Sequence, residues 1–142
     1  MTEIRPLTPS ECLRLLSSQP IGRLAFSEDA LPMIRPVNFF VHEGDIIVRT
    51  GVTGSIGKLT NEVVAFEVDS VDPVTHTGWS VVVIGRVALV TDVDDLVRLA
   101  DPRHRPWPSG ERSRFLRLPI EIISGRSLRL AEAVPDSATS QV

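Results

Sequence analysis

The sequence predicts a small Greek-key β-barrel of α+β type, built mainly from antiparallel strands. Two observations support this fold class. From Ile21 onwards the residues fall into short runs with the two-residue period of a strand. Compact turn sequences such as Glu43-Gly44-Asp45 separate these runs. The length of 142 residues favours one domain with a sizeable core.

Composition and charge restrict the classes of function. The net charge of -3, with 42% hydrophobic and 23% charged residues, is ordinary for a soluble globular protein and gives no general attraction for nucleic acid or acidic membranes. Cys12 is the single cysteine, which excludes an internal disulfide and a cysteine-based zinc site, and we expect it to be a small buried hydrophobe. No leader or apolar run of about 18 residues is visible. We therefore expect a cytoplasmic protein without nucleic-acid or membrane partners.

Two helices are predicted from their capping residues. Thr8-Pro9-Ser10-Glu11 has the pattern of a capping box with proline at the first helical position, so a helix should run to about Ser18. Residues 91–95 carry cap and dipole chemistry for a second helix through about Ala100. A third short helical segment is expected after the glycine-rich loop near Ser55.

Six strands account for most of the remaining chain. The fifth is apolar enough to be buried on both faces for part of its length, and Gly85 indicates a bulge or tight bend in it. The sixth should be broken near Pro119 and Gly125. Residues 1–130 then form the domain, and residues 131–142 are expected to be a disordered tail. The predicted strands are 21–27, 31–41, 46–50, 63–71, 78–91 and 114–130.

The stretch 48–61 has the composition of an anion-binding loop. Its glycines at 51, 54 and 57 let backbone N–H groups approach an anion, and Ser55 can cap the helix that follows. Arg49 and Lys58 add full charges, and Lys58 is the only lysine among 15 basic residues. The alternative is a glycine-rich surface connection with two solvated charges, since neither a Walker loop nor a dinucleotide fingerprint is present. Because side chains fill a small barrel, a cofactor must bind at an edge or between chains.

These residues together resemble the FMN-binding split β-barrels related to pyridoxamine 5′-phosphate oxidase, and in particular the small single-domain branch that includes nitroimidazole reductases. The resemblance extends from Leu7 to about Leu130. It rests on the order and spacing of Ile21-Gly22-Arg23-Leu24-Ala25, Pro36-Val37-Asn38-Phe39, the loop 49–58, Val64-Ala65-Phe66-Glu67-Val68-Asp69 and Gly78-Trp79-Ser80-Val81-Val82-Val83-Ile84-Gly85-Arg86.

The resemblance implies a homodimer that holds two flavins in clefts between the barrels. It assigns the 5′-phosphate to Arg49, Thr50, Ser55 and Lys58. It assigns the polar edge of the isoalloxazine to Pro36, Val37, Asn38 and Phe39. It assigns closure of the cleft to Trp79 and Ser80 of the partner chain. From the residues alone, Trp79 can equally be an aromatic of the core or of a dimer contact, Asn38 an edge-strand amide, and Phe39 a core residue.

Two departures limit what carries over from the family. Ala131 stands where pyridoxamine phosphate oxidases have a substrate-binding histidine, so the vitamin B6 substrate is not expected. Gly57 stands where nitroimidazole reductases tend to have a histidine, so that activity is not expected either. The three histidines, His42, His76 and His104, fall in predicted turns or loops, where surface roles are the default.

Three functional hypotheses follow. The first is an FMN-dependent oxidoreductase that moves a hydride or electron pair to a small planar acceptor, with the protein supplying anchoring and orientation and no evident catalytic acid or base. The second is a reductase dependent on the deazaflavin F420, whose acidic tail would need a basic groove; the candidates are Arg103, Arg105, Arg112 and Arg114. The third is a non-catalytic module that binds flavin or haem, for which His76 is the nearest candidate ligand.

Overall fold

The computed structural model describes residues 3–51, 54–99 and 113–129. Within these ranges the chain forms two α-helices, one 3₁₀ turn and nine strands. The helices are α1 (Pro9–Leu16) and α2 (Val93–Leu99), and the 3₁₀ turn is Ile56–Lys58. The strands are β1 (Glu3–Pro6), β2 (Ile21–Glu28), β3 (Leu31–His42), β4 (Asp45–Gly51), β5 (Val63–Asp72), β6 (Thr77–Arg86), β7 (Ala88–Leu89), β8 (Ser113–Pro119) and β9 (Ile122–Arg129).

All nine strands belong to one antiparallel arrangement, in the order β1-β9-β6-β5-β2-β3-β4-β8-β7. The arrangement curls round, because β6 and β8 are far apart in this order and yet touch. A Cβ atom added to Gly85 of β6 would lie 2.3 Å from the carbonyl oxygen of Pro119 of β8. The curled sheet encloses a core that joins both of its ends, with Val83 of β6 and Leu116 of β8 in the same buried cluster.

The prediction of a mainly antiparallel β fold is confirmed, but the count of six strands is wrong for three reasons. The chain leaves β6 after Arg86, because the Val87 N–H donates to the Glu62 carbonyl at 2.9 Å, and β7 begins at Ala88. The predicted last strand divides between Pro119 and Ile122 into β8 and β9. The ninth, β1, was not predicted, because all four of its residues are exposed and it shows no alternation.

Two details of the predicted strands also change. Gly125 lies inside β9 rather than at a break, and its missing side chain lets α1 pack closely, since a Cβ there would lie 2.7 Å from Cys12 Sγ. β6 is not buried on both faces: its later residues alternate, with Val81 and Val83 buried and Ile84 exposed. Cys12 itself is buried, as expected.

The predicted capping box of α1 is confirmed. The Glu11 N–H donates to Thr8 Oγ1 at 3.2 Å, and the Thr8 N–H donates to Glu11 Oε1 at 3.0 Å. The second helix is capped by Asp92, whose carboxylate accepts from the Asp95 N–H at 3.1 Å. Neither helix within the described ranges has the length and apolar character needed to cross a membrane.

Candidate functional site

The candidate site lies where β3 and β4 separate. Their ladder ends at the pair Phe39–Val48. On the N-terminal side of Phe39, β3 is paired with β2. On the C-terminal side of Val48, β4 is paired with β8 as far as Gly51. The N–H of Phe39 donates to the Pro20 carbonyl at 3.3 Å, on the β2 side. Because successive N–H groups of a strand point to opposite edges, the Asn38 N–H points into the gap between β3 and β4.

The four residues that were assigned to the flavin ring divide between the two faces of β3. Pro36 and Asn38 point outward and are exposed. Val37 and Phe39 point inward, and Phe39 is a core residue whose ring meets Phe66 edge to face at 4.8 Å between centroids. A ligand in the gap can therefore contact the Asn38 amide and the open backbone edge. The Phe39 ring packs in the core on the other face of the strand.

Ser55 and Lys58 lie together at the tip of the β2–β3 hairpin. They line a cleft of about 210 Å³ that also contains Glu28, Asp29 and Glu62. Ser55 does not cap the 3₁₀ turn, so the prediction of a helix cap there is wrong; its hydroxyl donates instead to the Glu28 carboxylate. The segment after Ser55 is three residues of 3₁₀ structure and therefore supplies no macrodipole of the kind expected from the sequence.

Arg49 and Thr50 point to opposite faces of β4. Arg49 lies over the ring of Phe115, with its guanidinium carbon 5.6 Å from the ring centroid, on the side where α2 packs. Thr50 is paired with Arg114 of β8. The four residues assigned to the phosphate thus occupy three neighbouring positions: Ser55 with Lys58, Thr50 beside Arg114, and Arg49 on Phe115.

Two residues of this region were not assigned to the anion site from the sequence. Arg114 of β8 contacts the glycine loop, the segment between β4 and β5, since its Nη1 donates to the Gly57 carbonyl at 3.4 Å. It had been grouped with Arg103, Arg105 and Arg112, which lie outside the described residues. Glu28 reaches the loop because it closes the β2–β3 hairpin. Both contacts join a strand residue to the segment 55–57, which is remote from it in sequence, so neither has a local signal.

Trp79 and Ser80 also point in opposite directions. Trp79 is half-buried and packs against the core of its own chain, which is one of the alternatives open from the sequence. Ser80 lies on the outer face of the sheet, level with Asp69 of β5 and Arg126 of β9.

The same outer face carries an ionic group. Arg23 Nη1 contacts Glu67 Oε1 at 3.1 Å and Asp69 Oδ1 at 3.3 Å. Partial burial raises the pKa of Glu67 to about 7, and the hydrogen bond and negative charge of Asp69 add to the rise, while Arg23 opposes it. Glu67 therefore keeps its proton to a higher pH than a free carboxyl group does.

The outer face also has a continuous apolar row, here called the isoleucine row. Cross-strand pairing places its five residues side by side across five strands: Ile34 of β3, Ala25 of β2, Ala65 of β5, Ile84 of β6 and Ile122 of β9. Three of them are large and exposed, with Ile34 at 68%, Ile122 at 59% and Ile84 at 37%. Pro36 and Asn38 continue this face along β3 to the gap.

Neither His42 nor His76 joins the site. His42 is the last residue of β3 rather than part of a turn, and its half-buried ring places Nε2 3.9 Å from Glu43 Oε1. His76 lies in the turn between β5 and β6, as expected, and His104 is outside the described residues. In the ranges that the structure describes, no group of three or more His, Cys, Asp or Glu side chains is arranged to hold a metal ion.

Known proteins resemble this chain over most of its length. A curated protein of Mycobacterium tuberculosis, the uncharacterised protein Rv0080, is 37% identical over 129 residues, which cover 87% of this chain and 84% of the relative. The solved structure of an FAD binding protein from Mycobacterium smegmatis is 31% identical with a TM-score of 0.80, covering 89% of this chain and all of the other. That of an FAD-binding protein from Mesorhizobium loti is 25% identical with a TM-score of 0.73, covering 87% and 97%.

The family itself follows from the sequence match. Residues 8–127 match the protein family described as pyridoxamine 5′-phosphate oxidase. This range begins at the cap of α1 and ends within β9, so it includes the gap between β3 and β4, the glycine loop and the outer face of the sheet. The chain belongs to the pyridoxamine 5′-phosphate oxidase family.

Proposed function

We propose that this protein is a flavin-dependent oxidoreductase that holds FMN at the interface of a homodimer and reduces a small planar acceptor. The observation that carries the proposal is the gap between β3 and β4, whose open strand edge follows β3 towards a serine and a lysine at the tip of the β2–β3 hairpin. Two structural relatives are named as FAD-binding proteins, which favours a flavin as the class of cofactor.

The length of β3 between the gap and the hairpin tip leaves room for a flat ring with a phosphorylated chain. Leu31, the hairpin partner of Glu28, lies five residues from Pro36 along β3, or about 17 Å at the usual rise of a strand. A ring against Pro36 and Asn38 could therefore extend its side chain along β3 towards Ser55 and Lys58. Asn38 would orient the ring through its N–H and amide, and Lys58 would place a positive charge at the phosphate.

The homodimer is supported by the isoleucine row. Exposed isoleucines aligned across a sheet form a contiguous apolar patch, and such patches mark interaction sites. A two-fold axis near Ala65 would place the row of one chain against that of the other, which is the self-complementary contact of a symmetric dimer. Because Pro36 and Asn38 lie on the same face, the partner would also cover the gap and exclude water from the ring.

The bound flavin would supply the redox chemistry by accepting an electron pair from a reduced donor and passing it to the acceptor. The residues of this chain would anchor, orient and shield it. Ala131, which lies outside the described residues, stands where the family pattern has the substrate-binding histidine, so pyridoxamine phosphate is not proposed as the substrate.

Titration of cofactor-free protein with FMN, FAD, riboflavin and F420 tests the proposal, with flavin fluorescence as the readout. We expect FMN to bind at least tenfold more tightly than riboflavin, and Lys58→Ala to remove this difference without changing the affinity for riboflavin. Arg14→Ala, which removes an exposed charge on α1, is the control. If only F420 binds tightly, the cofactor is the deazaflavin rather than FMN.

Turnover is tested separately by following the oxidation of NAD(P)H with quinone and nitroaromatic acceptors. Oxidation that requires both the flavin and an acceptor would support the oxidoreductase. Flavin binding without any catalysed electron transfer would identify a binding module instead.

A further inference from the structure

The fold brings Glu28 next to Ser55. Glu28 is paired with Leu31 at the end of the β2–β3 hairpin, and Asp29 and Ala30 make the turn with φ values of 52° and 65°. Such a two-residue turn leaves the strand ends little freedom. The turn therefore fixes the backbone of Glu28 beside the cleft, and its carboxylate accepts a hydrogen bond from the Ser55 hydroxyl there.

This contact conflicts with the role of Ser55 as an anion ligand. A serine hydroxyl has one proton to donate, and a phosphate dianion has only acceptor oxygens. While Ser55 donates to Glu28, it presents only lone pairs to a phosphate group. The cleft adds to the conflict, because Lys58 is accompanied there by the carboxylates of Glu28, Asp29 and Glu62.

We propose that Glu28 competes with phosphate for the hydroxyl of Ser55, and so sets the affinity and specificity of the anion end of the site. The proposal deepens the proposed function, since it concerns the site assigned above to the FMN phosphate. To bind an anion, Ser55 turns away from Glu28 and the two negative groups then share the cleft. Neutral ligands that lack a phosphate do not meet this cost.

Glu28→Gln is the informative variant. The glutamine amide can donate to Ser55 Oγ, which leaves the hydroxyl proton for the anion, and the exchange removes one negative charge at almost constant volume. We expect the affinity for FMN to rise about tenfold and the affinity for riboflavin to stay within twofold. Glu62→Gln removes a charge from the same cleft and is the control for electrostatics alone, with a smaller gain expected.

A double-mutant cycle separates competition from simple charge. In the Ser55→Ala background, Glu28→Gln should lose most of its effect on FMN, because the contested hydroxyl is absent. Thermal unfolding without ligand confirms that each variant is folded. Lower FMN affinity of Glu28→Gln would overturn the proposal, since Glu28 would then position Ser55 for the anion. An equal gain with and without Ser55 would overturn it as well.

Inorganic phosphate provides a second probe that does not depend on flavin. Its stabilisation of the protein, measured as the rise in Tm over chloride at equal ionic strength, should be larger in Glu28→Gln than in the wild type. If the wild type binds no flavin but this difference is found, the competition holds and the flavin proposal fails. If wild-type protein binds FMN but Glu28→Gln gains for neither FMN nor phosphate, the flavin proposal stands and the competition is wrong.

Discussion

Gly85 and Pro119 meet where the sheet closes on itself. An added Cβ at Gly85 would lie 2.3 Å from the Pro119 carbonyl oxygen, 3.1 Å from a methyl group of Leu118 and 3.3 Å from Glu121 Oε2. The nearest of these atoms belongs to the backbone, so it cannot move aside as the end of a flexible side chain could. Contact between β6 and β8 therefore requires glycine at this position.

Gly85→Ala should consequently destabilise the fold. Forcing β6 and β8 apart should lower the free energy of unfolding by about 2 kcal/mol, as is usual when a packed site is overfilled. Urea unfolding measures the change. Ser124→Ala, on the exposed face of β9, is the control and should have little effect. Equal stability of Gly85→Ala and the wild type would show that the closure tolerates a wider spacing.

Arg114→Gln should weaken the binding of FMN by about tenfold and leave that of riboflavin unchanged. The substitution removes a positive charge beside Thr50 and the hydrogen bond to the Gly57 carbonyl that holds the glycine loop. Arg114→Lys keeps the charge without the guanidinium fork, so an intermediate affinity is expected. A matching loss for FMN and riboflavin would indicate that Arg114 supports the fold rather than the anion site.

Ile34→Glu should disrupt the proposed dimer. A carboxylate in the centre of an apolar contact is costly, so the dissociation constant of the dimer should rise about a hundredfold. Sedimentation velocity over a range of concentrations measures it. Val74→Glu provides the control, because Val74 is 87% exposed in the β5–β6 turn and lies off the isoleucine row. A wild-type protein that is monomeric at all concentrations would contradict the proposal directly.

The pKa of Glu67 gives a prediction about stability and pH. Because the folded protein raises this pKa from 4.5 to about 7, it binds a proton that the unfolded chain has released between these values. The contribution of Glu67 to stability is thus complete below pH 4.5 and is lost as the pH rises to 7. Glu67 is partly exposed, so we expect only about 1 kcal/mol after solvent screening.

Urea unfolding of wild type and Glu67→Gln at pH 4.5 and pH 7.5 tests this prediction. Glutamine is neutral throughout. The free energy of unfolding of the variant minus that of the wild type should therefore be larger at pH 7.5 than at pH 4.5. If the difference in free energy of unfolding between the variant and the wild type is the same at both pH values, Glu67 has the same pKa in the folded and unfolded chains.

Local signals predicted the parts of the fold that depend on local chemistry. The capping box at Thr8 and Glu11 needs only residues three apart, and both of its hydrogen bonds are present. The strands from β2 to β5 were recognisable because their alternation is ended by turn residues such as Gly44. β1 has no such pattern, and the strand that it pairs with, β9, is remote in sequence. The division between β8 and β9 was placed correctly at Pro119 but not at Gly125.

The candidate site was less predictable than the fold. The sequence identified the glycine loop and the strand 36–39, but a list of residues does not reveal which face each side chain takes. Arg49 and Thr50 are adjacent in the chain and lie on opposite faces of β4. Glu28 opposes the anion loop only because a hairpin brings it to Ser55, and that meeting is a property of the tertiary structure. The assignments of the ten cofactor residues remain predictions for the titrations above to test.

The pairing of β1 with β9 has a consequence for biosynthesis. Glu3 lies opposite Arg129, so a strand at the start of the chain docks on one near its end. During translation the strands β2 to β8 are synthesised before β9, so β1 cannot pair with β9 until then. The edge of β6 that pairs with β9 is also unpaired until then. Until β9 has been synthesised, nascent chains of this protein therefore expose strand edges that can pair with neighbouring chains.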